Sequence, residues 1–261
     1  MLIFSTNFVC LSNIKQTFTR RWLTIHCANF IKLFTNMTSQ IGKRMNRVSI
    51  NKNLHIHQKS NFMGFDVQIH RGSLVENYLN RASDCITSAL NKYNRVSMMR
   101  FDLHLPENSA DSIICDNFII TKFFSSLKEK IEYSQTKSKR HGNRTHNTDV
   151  DYIWCREIST TEKTHYHVAI FLNGHAYRFI GEFNLSKDNM YTRIHEAWGS
   201  ALFTHPEDIQ GLVHIPANPS YEIIRGDEYS IHKAFHRISY MCKVDSKSFG
   251  NRHHCFGASR N

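Results

Sequence analysis

The chain has 261 residues, of which 41% are hydrophobic and 21% charged, enough to bury one substantial core with an extension rather than two full domains. Seven scattered cysteines (Cys10, Cys27, Cys85, Cys115, Cys155, Cys242 and Cys255) make no C-x-x-C pair, which speaks against a disulfide framework or zinc ribbon and for a reducing, cytoplasmic setting. The net charge of +11 is unevenly spread: residues 1–65 hold nine Lys or Arg and no Asp or Glu, leaving 24 basic against 22 acidic residues in 66–261, so charge alone does not make the main domain a nucleic-acid binder.

Residues 1–65, rich in Asn, Thr and Ser, read as a disordered or spurious extension preceding a domain at 66–261. A DNA-contacting arm, an organelle-targeting peptide and a leader from an upstream start codon all remain open, with Met37, Met45 and Met63 as later starts. No apolar run reaches the roughly 18–20 residues that cross a bilayer, so no membrane partner is expected.

The expected order begins near Ser73, where "SLVE" offers a capping box from Ser73 to Glu76. A helix follows to about Tyr93, with Leu74, Tyr78, Ala82, Cys85, Ile86, Ala89 and Leu90 on one stripe. In "VSMMRFDLHLP", Met99, Phe101, Leu103 and Leu105 alternate with Arg100, Asp102 and His104, the pattern of a half-buried strand stopped by Pro106. Ile119, Ile120, Phe123, Phe124, Leu127 and Ile131 mark a second helix that gives way to a polar, basic loop over 134–149.

"YIWCREI" (152–158) and "HYHVAIFLN" (165–173) are strand-like, and six polar residues between them suffice only for an antiparallel hairpin. A helix over Met190–Leu202, short strands at 211–215 and 221–225 around the turn "PANPS", and a last helix from about Glu228 to Val244 complete the chain. From Met98 onward the order is β-α-β-β-α-β followed by one further strand and helix. The expected fold is α+β and ferredoxin-like, an antiparallel sheet with helices on one face and a site on the other.

A bare His-x-His is weak evidence in a chain with 17 histidines, and "HIH" at His55–His57, outside any strand pattern, is taken as coincidence. His165 and His167 differ because residues i and i+2 of a strand share a face. A hairpin turn centred near Thr161 or Glu162 sets Glu157 opposite one of them, and two imidazoles with a carboxylate make a divalent-metal site with open positions. The same residues also suit a surface strand that binds nothing. In "HRISYMCKVDSK" (236–247), a continuous helix brings His236, Tyr240, Lys243 and Lys247 to one face. A tyrosine hydroxyl becomes a useful nucleophile toward phosphate when a metal and a nearby cation neutralise developing charge.

Together these stretches resemble the HUH (His-hydrophobe-His) endonucleases of rolling-circle replication. More narrowly, "MRFDLHLP", "HYHVAIFLNGHAYRFIG", "AWGSAL", "GLVHIPANPSYEI", "RISYMCKVDSK" and "FGASRN", spanning about 97–261, resemble the inovirus-type, prophage-encoded YagK/YfjJ C-terminal-domain family. The resemblance implies a Mg²⁺- or Mn²⁺-dependent single-strand nickase and joining enzyme whose tyrosine stays linked to the 5′ phosphate. His165 and His167 fall on the metal pair, Glu157 on the additional ligand, Tyr240 on the nucleophile and Lys243 on the motif lysine. One nucleophile-type tyrosine is evident, which limits the enzyme to one covalent link at a time. Asp102 and His104 are weaker candidates on the outward face of their strand.

Single-stranded or origin DNA is the expected partner, with host replication proteins as further ones. Lys137, Lys139, Arg140 and Arg144 of the basic loop are the expected DNA contacts, and Tyr166 or Tyr177 could stack on bases although core packing suits both. Two alternatives stand beside this reading: a non-enzymatic DNA-binding regulator that keeps the fold, and a hydrolase of another phosphodiester that uses water and dispenses with Tyr240.

Overall fold

The computed structural model describes residues 46–107, 117–158, 163–249 and 253–259. The expectations for residues 1–45 and for the hairpin turn at 159–162 lie outside the described residues.

Three short strands, β1 (Ile56–His57), β2 (Asn61–Phe62) and β3 (Phe65–Asp66), precede β4 (Leu74–Val75). β1 pairs with β4, and β2 with β3. The boundary expected at residue 66 therefore falls too late. Val48 and Phe62 are buried, and Phe62 stacks on Phe235 at 6.2 Å, so residues 46–65 contribute to the same hydrophobic core as the helices. The alternation there is only two residues long in each strand, too short to show as a period.

Helix α1 (Glu76–Lys92) follows β4 directly. The expected Ser73 cap does not form: Val75 is the N-cap, no side chain caps the helix, and the Ser73 carbonyl accepts a hydrogen bond from Val244 N at 2.9 Å. Leu74 and Val75 are fully buried in a strand, which overrides the local capping preference.

The principal sheet is antiparallel and six-stranded, in the order β10–β6–β7–β5, with β8 and β9 both on the far side of β5. Its members are β5 (Arg95–His104), β6 (Asp151–Ile158), β7 (Thr164–Asn173), β8 (Val213–His214), β9 (Ser220–Ile224) and β10 (Phe256–Ala258). β8 pairs with the Asp102–Leu103 end of β5 and β9 with the Arg95–Met99 end, so the two are halves of one edge interrupted by "IPANP". Proline has no N–H to give a ladder, which explains the break. The sequence reading missed β10; its Gly257 lies beneath the Trp154 indole, where an added Cβ would sit 2.5 Å from Nε1.

Residues of alternating parity enter two separate cores. Phe101, Leu103, Tyr166, Val168 and Ile170 face α2 (Phe118–Arg140) and α3 (Met190–Leu202), where Phe123, Leu127, Ile194 and Trp198 are buried. The opposite parity, Met98, Ile153, Cys155, Ala169 and Phe171, packs with α1 and α4 (Glu228–Ser239). Helices thus cover both faces, correcting the expectation of one covered face and one open one. Arg100, Asp102 and His167, interspersed among the apolar residues of that second face, dilute its hydrophobic signal in sequence.

α2 runs to Arg140, beyond the expected loop start, because its last turns are solvated and need no apolar stripe. α4 stops at Ser239, and Tyr240–Cys242 form a tight 3₁₀ turn that leaves Lys243 extended.

Phe62→Ala should cost about 3 kcal/mol, the usual scale for emptying a buried aromatic site. Urea unfolding of the variant, beside chains starting at residues 46 and 66, measures this; equal stability of all of them would exclude 46–65 from the fold.

Candidate metal centre

The site is set by strand register. Glu157 of β6 pairs directly with His165 of β7, and His165 with His104 of β5. One step along, Cys155, His167, Asp102 and His214 lie in a row across four strands. Directly paired residues share a face, so the expected hairpin places Glu157 beside both imidazoles.

One ligand atom from each of Glu157, His165 and His167 lies within 4.8 Å of the others. The Nε2 atoms of the two histidines are 3.3 Å apart, and His167 Nε2 is 3.5 Å from Glu157 Oε2. On its other side, His167 Nδ1 lies 2.6 Å from Asp102 Oδ1. That short contact turns Nε2 toward Glu157 and His165, the arrangement by which a carboxylate orients a ligating histidine. Two imidazoles and a carboxylate, all converging, fit a divalent cation with open positions.

Asp102 is therefore not the solvent-exposed residue that its strand pattern suggests; it is 8% exposed and also lies 3.3 Å from His214 Nδ1. His104 stacks on His165 with ring centroids 5.4 Å apart. Arg100 and His214 were missed by sequence reasoning. Buried Arg100 places its guanidinium 3.5 Å from Asp102 Oδ1 and 3.2 Å from His167 Nδ1.

The turn after α4 closes the site. The Tyr240 ring meets His167 edge-on at 5.6 Å, Lys243 Nζ lies 4.0 Å from the ring centroid, and the Arg100 guanidinium lies 5.5 Å from it. Lys243 and Lys247 reach Glu157 at 3.3 and 3.0 Å. The expected convergence of Tyr240, Lys243 and Lys247 occurs, but through a 3₁₀ turn and an extended Lys243 instead of one helical face. His236 does not join them: it is exposed, and its carbonyl accepts bonds from Gln68 and Ser239.

Burial opposes the charge on Asp102, but the hydrogen bond and charge of His167, with Arg100 and His214, hold its carboxyl at about 2. Burial is likewise outweighed at Glu157, where His167, Lys247 and Ser246 hold the carboxyl well below the usual range. At His167, burial disfavours the imidazolium, yet hydrogen bonds to Asp102 and Glu157 raise its pKa. Burial, reinforced by His167 and His104, lowers that of His165. Burial also pushes the Cys155 thiol up to about 12.

The four basic residues expected to hold DNA are elsewhere. Lys137, Lys139 and Arg140 occupy the last turn of α2 and Arg144 the segment after it, all exposed. Lys139 Nζ bonds Asn147, whose carbonyl accepts from Asn173 at the end of β7 opposite to His165. Eight residues of strand, about 27 Å, separate Asn173 from His165. Tyr166 is fully buried in the core against Trp154 and Trp198, which removes it from base stacking; Tyr177 is partly buried against the same core.

Comparison with known proteins places the chain in a family. The YagK/YfjJ C-terminal domain family model matches residues 57–259, and the chain belongs to that family. It is 30% identical over 198 residues to the uncharacterized protein YagK of Escherichia coli K12, covering 72% of this chain and 95% of YagK. It is 32% identical over 201 residues to the uncharacterized protein YfjJ of the same strain, covering 72% of this chain and 96% of YfjJ. No solved structure matches.

Two outcomes test the centre. Below its raised pKa His167 carries a proton on each nitrogen and cannot ligate, so Mn²⁺ affinity should fall about tenfold per pH unit below that value and level off above it. Calorimetric titrations between about pH 5 and 8 check this, and a pH-independent affinity contradicts it. Asp102→Asn should weaken Mn²⁺ binding about 10- to 100-fold by freeing His167 to turn, measured in the same titration.

Proposed function

We propose that this protein nicks and rejoins single-stranded DNA in a metal-dependent reaction through a covalent phosphotyrosine intermediate, as a rolling-circle replication initiator of a phage, prophage or mobile element. The observation that carries the reading is the convergence of Glu157, His165 and His167 within 4.8 Å, with Tyr240 packed on His167 and Lys243 over the tyrosine ring. The strand order β6–β7–β5–β8/β9, with helices α2 and α3 in the two crossovers, supports a ferredoxin-like reading of the sheet and, through it, membership of the HUH class.

Glu157, His165 and His167 would hold Mg²⁺ or Mn²⁺, which when bound supplies Lewis-acid polarisation of a phosphate oxygen. Tyr240 Oη attacks the phosphorus, the bond to the 3′ oxygen breaks, and the DNA 5′ phosphate remains on the tyrosine. The phenol proton passes to water as the new bond forms, and the departing 3′ oxygen takes a proton from water. Reversal by the 3′ hydroxyl rejoins the strand without an external energy source. Lys243 neutralises charge gathering on the phosphate. Asp102 orients His167, and Lys247, whose side chain is fully buried, positions Glu157.

A second reading, a DNA-binding regulator that keeps the fold without cleaving, is favoured by one feature: Glu157 is already neutralised by Lys243 and Lys247. Tyr240→Phe separates the two readings. With labelled randomised single-stranded DNA and Mn²⁺, the unmodified protein should give a denaturant-resistant adduct that Tyr240→Phe abolishes while still binding DNA. An adduct that persists in Tyr240→Phe excludes this tyrosine as the nucleophile; no adduct with either protein, despite metal and DNA binding, favours the regulator.

A further inference from the structure

Every oxygen of Glu157 is engaged before a metal arrives. Oε1 lies 3.0 Å from Lys247 Nζ and 3.7 Å from Cys155 Sγ. Oε2, the oxygen that faces His167, lies 2.7 Å from Ser246 Oγ and 3.3 Å from Lys243 Nζ. An ion held by His165, His167 and Glu157 needs Oε2, so it competes directly with the Lys243 ammonium.

The surrounding charge reinforces that competition. With His167 neutral, as a metal ligand must be, the two carboxylates Asp102 and Glu157 face three cations, Arg100, Lys243 and Lys247, which leaves one net positive charge in the buried network. Arg237 stands close enough to Arg100 and Asp102 to interact with both, adding to the excess. A divalent ion entering alone raises the positive charge further, in a place where water screens little. Nothing among the described residues in contact with the triad offsets it.

We propose that the centre takes its divalent cation and a phosphodiester anion together, with Lys243 passing from Glu157 to the phosphate as both bind. The inference rests on the metal-centre reading above. The phosphate supplies the negative charge that the protein withholds, and it receives the displaced ammonium. Lys247, with its side chain fully buried, stays on Oε1 and keeps Glu157 in place. The same lysine thus guards the metal-free carboxylate and recognises the substrate, so idle metal loading without DNA is disfavoured.

The test uses the full chain carrying Tyr240→Phe, so that no covalent product accumulates. Mn²⁺ binding is followed by the electron-paramagnetic-resonance signal of the free ion, with and without a short randomised single-stranded oligonucleotide. Binding to the oligonucleotide itself is subtracted with a His165→Ala/His167→Ala partner. The expected result is Mn²⁺ affinity at least about tenfold higher with DNA, and by reciprocity an equal gain in DNA affinity with Mn²⁺. Lys243→Met should tighten Mn²⁺ binding without DNA and shrink the DNA-dependent gain. Equal Mn²⁺ affinity with and without DNA overturns the coupling while leaving the metal centre intact. No Mn²⁺ binding in either condition overturns the metal centre and this inference with it.

Discussion

The Glu157 carboxylate, 3% exposed, is the point on which the candidate site is assembled. An isolated carboxylate so deeply buried would be several kcal/mol out of balance, and a group in that position must be paired and hydrogen-bonded. Here the partners come from two parts of the chain: His167 on the neighbouring strand, and Lys243, Ser246 and Lys247 on the segment after α4. The need to satisfy one charge therefore draws the C-terminal segment across the end of the sheet and sets Tyr240 against His167. Structure and chemistry share this requirement, since the groups that compensate Glu157 in folding are those that a phosphoryl transfer would use.

The sheet makes this possible by having two differently composed faces. One packs mainly apolar residues against α2 and α3, with Ser97 and Arg156 as buried polar members; the other is apolar at the Met98–Phe171 end, under α1 and α4, and polar at the His104–His165 end. The apolar end anchors the strands, and the polar end inherits their rigidity. Functional side chains placed on paired strands move little relative to one another, which suits a cluster whose ligand atoms must remain within a few ångströms.

Much of this was legible in the residues. The period-2 runs over 96–105, 152–158 and 165–173 are strands, and the hairpin between the last two sets Glu157 directly opposite His165. The apolar stripes of three helices are buried as their spacing implies. What could not be read depends on long-range partners. β1 to β4 are two residues each and exist because they pair with one another or pack on the core. The Ser73–Glu76 box lost to burial of Leu74 and Val75. The helix expected through Val244 ends at Ser239, where Lys243 is drawn out toward Glu157 and pairs with Leu74. Asp102 and Arg100 looked solvated because alternation reports polarity and cannot report that a polar face is covered. The basic residues at 137–144 gave a charge signal without a location, and the fold sets them at the other end of the sheet from the histidines.

The central claim is that Glu157, His165 and His167 form a metal centre beside Tyr240. Its most direct test is the anomalous scattering of Mn²⁺ in crystals of the Tyr240→Phe protein grown with Mn²⁺ and a short single-stranded oligonucleotide. The expected result is one strong peak bounded by Glu157 Oε2, His165 and His167 Nε2, with Lys243 turned from the carboxylate to a phosphate. A site that holds DNA phosphate but no Mn²⁺, with Lys243 still on Glu157, would contradict it.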